Sequence, residues 1–474
     1  MIGLLLGLPA FGEPDAEIEV VARPEPGPTV VRVDEVAQPA DGVEDVLVTV
    51  PGVRVRRLGG LGAFAGVSLR GTGFRQTLVR LDGVPLNPDG VAAVDLSRFP
   101  LAGIETLRVT SGRPAATVGA APIGGVVDLQ TASTPRFASA EVAVGSFRSV
   151  RGSAAVGQTT RGGVEGTLAL DGFATGGGFS YLDDGGTRFV TEDDRFVDRQ
   201  NNDRRQLSGL GRLRLGDGRL TVLATGATRE EGLPGSIGIP LDGVRFATSR
   251  GLVAVEGRQT TAVSDRRLQL WGLLRREQLR DPQGALGRID AGQRDRFDVF
   301  GGKVAGQRQL GRVTLRGSVA ARHEAFARRQ DQGGVTRARR WGASASVDAP
   351  VALGPLTWTP GLDLRALLSR LPDQGEVGAV LPGMTAVLFG DRAVSAWLSA
   401  TAGFRPPDLT ELYGDRGTLV GNPDLRPERA TKAELGLRAA GRGKVTLGFD
   451  GAVSVTAIRD AIGWLQNNQR TLVA

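Results

Sequence analysis

"LVRLDGVPLN", residues 78–87, sets the problem. Apolar side chains alternate with Arg80 and Asp82 until Gly83 breaks the pattern. Such alternation reads as a half-buried strand. Asp-Gly with a proline two residues on reads as a tight turn. A strand therefore delivers a turn and a short segment beyond it, close to the N-terminus of a long chain.

Composition favours many such units. The chain has 474 residues, 70 of them glycine, with no collagen-like triplet. The glycines fall between and inside short alternating runs, the pattern of strands, turns and bulges. Cysteine is absent, which excludes disulfides and thiolate metal sites. The single histidine, His323 in "AARHEAFARR", argues against histidine metal sets and histidine-driven catalysis and reads as a rim residue. Net charge is +7, and all basic residues except Lys303, Lys432 and Lys444 are arginine. They are spread among acids, with no basic block interleaved with aromatics, so nucleic acid is not read as a partner. No apolar run reaches the roughly 18 residues of a membrane helix, so a membrane role has to use a barrel.

The texture changes along the chain. Residues 1–15, "MIGLLLGLPAFGEPD", resemble the end of a secretory signal peptide without its positive n-region. Residues 16–40 read as an extended, Pro- and acid-rich segment. Residues 41–135 read as a compact α+β domain. In it "DGVEDVLVTVPGV" starts a short helix at an Asp cap and ends it at Pro51-Gly52, and "VSLRG", "TLVRLDG", "IETLRVTSG" and "GGVVDLQT" each read as a strand. From 136 to 474 period-two segments recur, among them "SAEVAVGSF", "GRLTVLATGAT" and "RLQLWGLLRRE". Short turns such as 216–219 join some, and long polar stretches such as 174–206 and 278–296 join others. That is the layout of an outer-membrane barrel. A face of Ser, Thr and Gly suits a wet lumen, and a face of Val, Leu and Ala suits lipid. A soluble propeller would need a repeated motif of about 40–50 residues, and none is seen. Aromatics, at 5%, are few for the usual girdles. The fold class expected is all-β dominated: a transmembrane antiparallel β-barrel with an N-terminal α+β domain.

Ordered motifs carry a resemblance. "VLVTVPGVRV" (46–55), "VSLRGTGFRQTLVRLDGVPLN" (67–87), "DLSRFPLAGIETLRVTSG" (95–112) and "GAAPIGGVVDLQT" (119–131) together resemble the plug of TonB-dependent outer-membrane receptors and transporters. "FRPPDLTELYGDRGTLVGNPDLRPERATKAELGLR" (404–438) resembles a barrel segment of that family. The resemblance implies a plug, 41–135, seated inside a barrel, 136–474, and moved by TonB in the inner membrane. "AEIEVVARPE" (16–25) resembles the TonB box, with Glu17, Ile18, Glu19, Val20, Val21 and Ala22 as the contacting strand and a tether to residue 40. Such a strand pairs with a partner's sheet edge through its main chain.

The plug's structural positions are expected at Arg70-Gly71, at the Asp82-Gly83 turn, which sends the chain towards the ligand side, and at Gly124-Gly125. A buried arginine needs a partner, and Glu105 or a barrel carboxylate is expected to pair Arg70. Ligand contacts are expected from the loops 59–66 and 87–95, with Phe64 stacking and Asn87 and Asp89 as polar groups.

Two departures from the family pattern stand out. After Val109 the chain reads "SGRPAATVG", with Ser111, Arg113, Ala115 and Val118 where the family has arginine, proline, serine and tyrosine. The C-terminus, "NNQRTLVA", lacks a terminal aromatic. A count of about 15 to 17 strands falls short of the 22 of such transporters, so the barrel is read as lacking its last strands, a smaller closed barrel being the alternative.

The function expected is TonB-dependent uptake of a scarce nutrient across the outer membrane of a Gram-negative bacterium. The plug wording leans towards cobalamin, with ferric siderophores next. The alternative is a non-transporting surface receptor or adhesin, or an inactive truncated transporter. Partners implied are TonB, outer-membrane lipid and a small-molecule nutrient, with the chain a monomer. The acid-rich stretch 181–203 offers oxygen ligands that suit calcium but reads as a solvated loop, and no metal, cofactor or catalytic residue is assigned.

Overall fold

The structure, a computed structural model, describes residues 2–5, 29–60, 62–87, 93–119, 122–133, 136–184, 189, 191–236, 239–286, 292–331, 335–369, 377–389, 394–414, 419–441, 447–466 and 472–473. The expected TonB box and Asp89 lie outside these residues.

The plug contains strands β1 (Thr29–Arg32), β2 (Val53–Leu58), β3 (Phe64–Leu69), β4 (Thr77–Leu81), β5 (Val84–Pro85), β6 (Ile104–Thr110) and β7 (Gly125–Thr131), and helices α1 (Val33–Val36) and α2 (Val43–Val48). Five strands form one sheet in the order β1-β6-β7-β4-β5, and β2 pairs with β3 apart from it. The central strand β7 is buried along almost its whole length, because sheet partners flank it and both faces are covered. Its neighbour β4 runs parallel to it, Val79 opposite Val127. Helix α2 begins one residue later than the expected Asp41 cap. Gly42 is its N-cap, and Gly42 N donates to the Asp45 carboxylate at 2.8 Å. Asp41 instead accepts from Gln38 N at 2.8 Å.

Fifteen long strands, among the described residues, then follow from Arg136–Gly145 to Leu447–Arg459. Val351–Leu353 continues Val335–Asp348 after a break and pairs with the same two neighbours. The sheet closes on itself as a barrel. Ile2–Leu5 also pairs with the first barrel strand. At the end where the plug joins the barrel the connections 160–164, 216–219, 262–263 and 311–312 are short. The strand ends at Thr175 and Arg204, Gly232 and Arg245, Arg280 and Gly292, and Arg405 and Glu428, which flank the long connections, lie at the other end.

Side chains alternate as a lipid-facing wall requires. Along Ser264–Arg280, Gln269, Trp271 and Leu273 are buried inside, while Leu268, Leu270 and Leu274 face out. Val253, Val304, Val319, Leu398, Leu435 and Val453 extend this outer apolar surface. The inner face is not the merely small and polar one expected. It buries Arg229, Asp295, Glu324, Arg340, Asp348, Lys432 and Glu434. One apolar core runs from the plug (Val43, Leu47, Val79, Leu81, Leu107, Leu129) into the wall (Leu210, Leu252, Trp271, Leu273, Phe297).

Glu44 is the exception within that core. It lies on the buried side of α2, and among the described residues Oε2 has no hydrogen-bond partner. Burial pushes its pKa up to about 7. A carboxyl whose folded pKa lies above its unfolded value loses stability as pH rises between the two, here from about 4.5 to about 7, and the loss is complete above that. Glu44→Gln should therefore leave the unfolding temperature almost unchanged at pH 4.5 and raise stability by about 3 kcal/mol at pH 8. Calorimetry of wild type and variant across that range checks this, and a pH-independent difference refutes it.

Candidate functional site at the plug–barrel boundary

The opening motif forms the lower part of the plug. Asp82 and Gly83 both take positive φ, 46° and 79°. The Asp82 carboxylate accepts from Thr131 N at 2.9 Å and from Thr131 Oγ1 at 2.6 Å. Arg80 pairs with Asp128 at 2.9 Å, and Gly83 N donates to the same carboxylate at 3.2 Å. The turn points towards the short-connection end, and Val84–Asn87 returns beside β4. Asn87 Oδ1 accepts from Val79 N and its Nδ2 donates to Thr77 O. A polar cavity of ≈ 310 Å³ separates this turn from the wall, lined by Arg80, Asp82, Arg212, Glu256 and Lys303 among others.

Arg70 resolves its two expected partners in favour of the barrel. Its Nη1 lies 2.5 Å from Glu434 Oε2, while Glu105 accepts from Ser133. Glu434 also accepts from Trp397 Nε1 at 3.0 Å. Lys432, one turn of the pleat away on the same face, donates to the carbonyls of Ser111 and Gly124. The glycine at 125 is obligatory: its φ is +131°, and a Cβ there would meet Thr110 O at 2.4 Å. Gly71, at φ 82°, continues the left-handed path that starts at Arg70.

At the long-connection end Arg75 reaches a second cluster. Its Nη1 lies 3.2 Å from Asp408 and 3.1 Å from Glu411. Arg405, at the end of barrel strand Val394–Arg405, pairs with Glu411 at 2.9 Å and Glu428 at 2.7 Å. Gln76 adds a bond to Glu428 at 2.9 Å. Asp408 caps helix α3 (Leu409–Tyr413) and accepts from Thr410 N and Glu411 N. Burial works against the Asp408 carboxylate, but Arg75 and Arg405 beside it prevail and its pKa falls. Burial and the adjacent Asp408 charge push Glu411 up. The "FRPPDLTELYG" motif thus builds a carboxylate cradle for a plug arginine.

Two further anchors escaped the sequence reading. Arg113, the residue that departs from the family's proline, is buried between Asp348 at 3.3 Å and Asp363 at 3.1 Å. Its guanidinium lies where Cβ atoms at Gly361 and Gly383 would be. Asp95 pairs with Arg98 at 2.9 Å and with barrel Arg229 at 2.8 Å. Burial would raise the Asp95 pKa, but Arg229 and Arg98 bring it below the usual carboxylate range. The available signal was an arginine in an unusual place together with lone acids at inward positions of alternating strands.

The expected ligand residues are placed as follows. Phe64 packs edge-on against Phe74 at 5.7 Å. Gly62 lies against the ring of Phe173 in the wall, so the glycine-rich loop approaches the barrel itself. Asn87 has both amide ends engaged by the plug backbone, and Asp89 is outside the described residues. These positions and the plug arginines are not brought into one cluster. What the structure does bring together is a ring of charge pairs, Arg70, Arg75, Asp95 and Arg113, between plug and wall.

Comparison with known proteins agrees with this architecture. The family profile for the TonB-dependent receptor plug domain matches residues 26–126, and the profile for the TonB-dependent receptor-like β-barrel matches 245–472. The vitamin B12 transporter BtuB of Vibrio vulnificus (strain YJ016) is 40% identical over 87 residues, which is 18% of this chain and 14% of that transporter's length. The copper transporter OprC superposes with a TM-score of 0.70 at 16% identity, covering 92% of this chain and 72% of that one. The FrpB iron transporter of Neisseria meningitidis, apoprotein form, gives 0.69 at 16% identity, covering 94% and 75%. At such identity these two likenesses show the fold. A plug profile, a barrel profile and a plug seated in a closed barrel together make this chain a member of the TonB-dependent receptor family, outer-membrane β-barrels of Gram-negative bacteria.

Proposed function

We propose that this chain takes up a scarce nutrient across the outer membrane, with cobalamin first and a ferric siderophore second, by TonB-driven rearrangement of the plug. The observation that carries the reading is the nature of the boundary. On the side of strands Val335–Asp348 to Glu428–Gly441 the plug is held by paired charges (Arg70–Glu434, Arg75–Asp408, Arg113–Asp363). Water can replace each such contact as it parts, whereas separating an apolar seal exposes surface at about 25 cal/mol per Å². A plug so seated blocks the lumen at rest and can be drawn aside by a pull on its N-terminal tether. The lean to cobalamin rests on the plug wording "DGVPLNPDGVAAVDLSRFPLAGIE" and on the stretch shared with a vitamin B12 transporter. Glu17–Ala22 is proposed as the strand that TonB takes up by edge pairing.

A disulfide tests plug movement directly, since the chain has no cysteine of its own. A Cβ at Gly403 would lie 3.5 Å from the Ile123 Cβ, within disulfide range. The Ile123→Cys/Gly403→Cys pair, oxidised, should bind cyanocobalamin as the reduced protein does, lose uptake about tenfold or more, and recover it on reduction. Undiminished uptake by fully cross-linked protein overturns plug release. Binding of ferric siderophores but not cyanocobalamin changes the nutrient and leaves the mechanism. Proline at Val20 or Val21 removes a main-chain donor, so each change should abolish energised uptake in whole cells while leaving nutrient binding intact. Uptake that survives both changes removes the TonB-box assignment, and binding without any TonB-dependent uptake in the unaltered chain favours a receptor.

A further inference from the structure

Beside the Asp82-Gly83 turn the barrel wall presents cations that take no part in seating the plug. The inward side chains of four neighbouring strands, Ser264–Arg280, Gly292–Leu310, Val313–Gln330 and Val335–Asp348, form one row in register. Trp271 stands opposite Gly301, Gly301 opposite Arg322, and Arg322 opposite Gly342. The two glycines make this row possible. A Cβ at Gly301 would run into the Trp271 indole, and one at Gly342 would meet the Arg322 guanidinium carbon at 2.7 Å. Lys303 follows Gly301 by two residues and so shares its face. On the next strand, Leu356–Ser369, Arg365 stands opposite Ser344.

These side chains and Arg80 of the plug border a cavity of ≈ 80 Å³. Four cations line it, Arg80, Lys303, Arg322 and Arg365, and no carboxylate is among its lining residues. Asp128 engages one nitrogen of Arg80, and Glu324 one nitrogen of Arg322. Among the described residues Lys303 Nζ has neither a hydrogen bond nor an ion pair. Trp271 is only 7% exposed, and its Nε1 is buried with no hydrogen-bond partner among the described residues, as is Arg80 Nε. Buried donors are ordinarily paired, and an enclosed cation without a counter-charge is costly. The unmet groups are all donors, so the complement they call for is an acceptor that carries negative charge. The polar cavity of ≈ 310 Å³ shares Arg80, Gly83, Val118 and Lys303 with this one and extends to Gly218 in a short connection. A small anion thus has a polar way in.

We propose that the smaller cavity binds one tetrahedral oxyanion, inorganic phosphate or sulfate, between Lys303, Arg322 and Arg365 of the wall and Arg80 of the plug, with Trp271 Nε1 donating to it. Guanidinium groups suit such an anion because their forked donors match its oxygens. A single water needs about 10–15 Å³ of such space, so an anion with four acceptor oxygens fits where a halide would leave donors unmet. The anion ties the plug's turn to the wall independently of the nutrient carried.

The test uses the full chain purified in detergent, free of phosphate and sulfate, titrated calorimetrically with sodium phosphate at constant ionic strength. One phosphate should bind per chain. Lys303→Gln should weaken binding about tenfold or more, and Trp271→Phe, which removes one donor, about threefold or more. Arg276→Gln, exposed on the outer face of the barrel, should stay within about twofold of wild type. Competition by sulfate supports the site. No saturable binding by the unaltered chain up to about 10 mM phosphate, or equal binding by Lys303→Gln, overturns it. Displacement of phosphate by an equal concentration of chloride assigns the cavity to halides and overturns it too. Lys303→Gln removes a charge that has no partner, so the barrel should fold; should it not, Trp271→Phe carries the comparison, and its binding phosphate as wild type does overturns the proposal.

Discussion

Carboxylates enclosed by this barrel are met by guanidinium groups across the plug–wall boundary, at Arg70, Arg75 and Arg113 from the plug and at Asp82 and Asp95 to Arg212 and Arg229 of the wall. The cost of taking an unpaired charge out of water is several kcal/mol, so each half of these pairs constrains the other. Glu434 meets Arg70, Asp408 and Glu411 meet Arg75, Asp348 and Asp363 meet Arg113, and Asp95 meets Arg229, with Lys432, Arg405, Arg316 and Arg98 as further partners of Glu434, Glu411, Asp348 and Asp95. The plug's position follows from these partners as much as from its own fold. The strict alternation of the strands serves the same end, because a one-residue slip would turn each inward acid to lipid.

The boundary is unequal around its circumference. Against Leu210, Leu252, Trp271, Leu273 and Phe297 the plug shares an apolar core with the wall. Against the strands from Val335 to Gly441 ion pairs and hydrogen bonds are more numerous, beside apolar contacts such as Ile123 on Gly403, and on the first side Asp95–Arg229 and Arg98–Thr248 cross as well. Solvent can enter the second side step by step but can enter the first only at the cost of exposing apolar surface. The polar cavity already present beside Asp82 and Lys303 lies near the short connections.

Local chemistry was legible in the sequence and distant pairing was not. The Asp82-Gly83 turn could be read because its determinants, a left-handed aspartate and glycine after an alternating strand, lie within a few residues. The alternating strands of the barrel were visible for the same reason, whereas its closure was not, the sequence reading being of a barrel without its last strands. Arg70 could be recognised as needing a partner, but choosing Glu434 over Glu105 required the fold. Arg113 reads as a mere departure from a family pattern until Asp348, 235 residues on, is brought against it. Arg75 gave no signal at all, since Glu411 lies 336 residues away and no periodicity links them. Asn87 illustrates the converse. A polar residue in a loop suggests a ligand contact, yet a side-chain amide can just as well complete the hydrogen bonding of its own turn, as it does here with Thr77 and Val79.

The scarcity of aromatics and the dominance of arginine have a common structural consequence. A guanidinium stays charged at any pH the cell meets, so it gives the lumen's carboxylates an unconditional partner, as the low pKa values of Asp95 and Asp408 reflect. On the outer face the same side chain marks where the apolar band stops, a task that aromatic girdles usually carry. Its long stem lies along apolar surface while its head reaches polar groups. One residue type thus seats the plug inside and bounds the membrane outside. Replacing these arginines by lysine would keep the net charge of +7 but lose the forked geometry by which Arg113 spans two aspartates and Arg405 spans two glutamates.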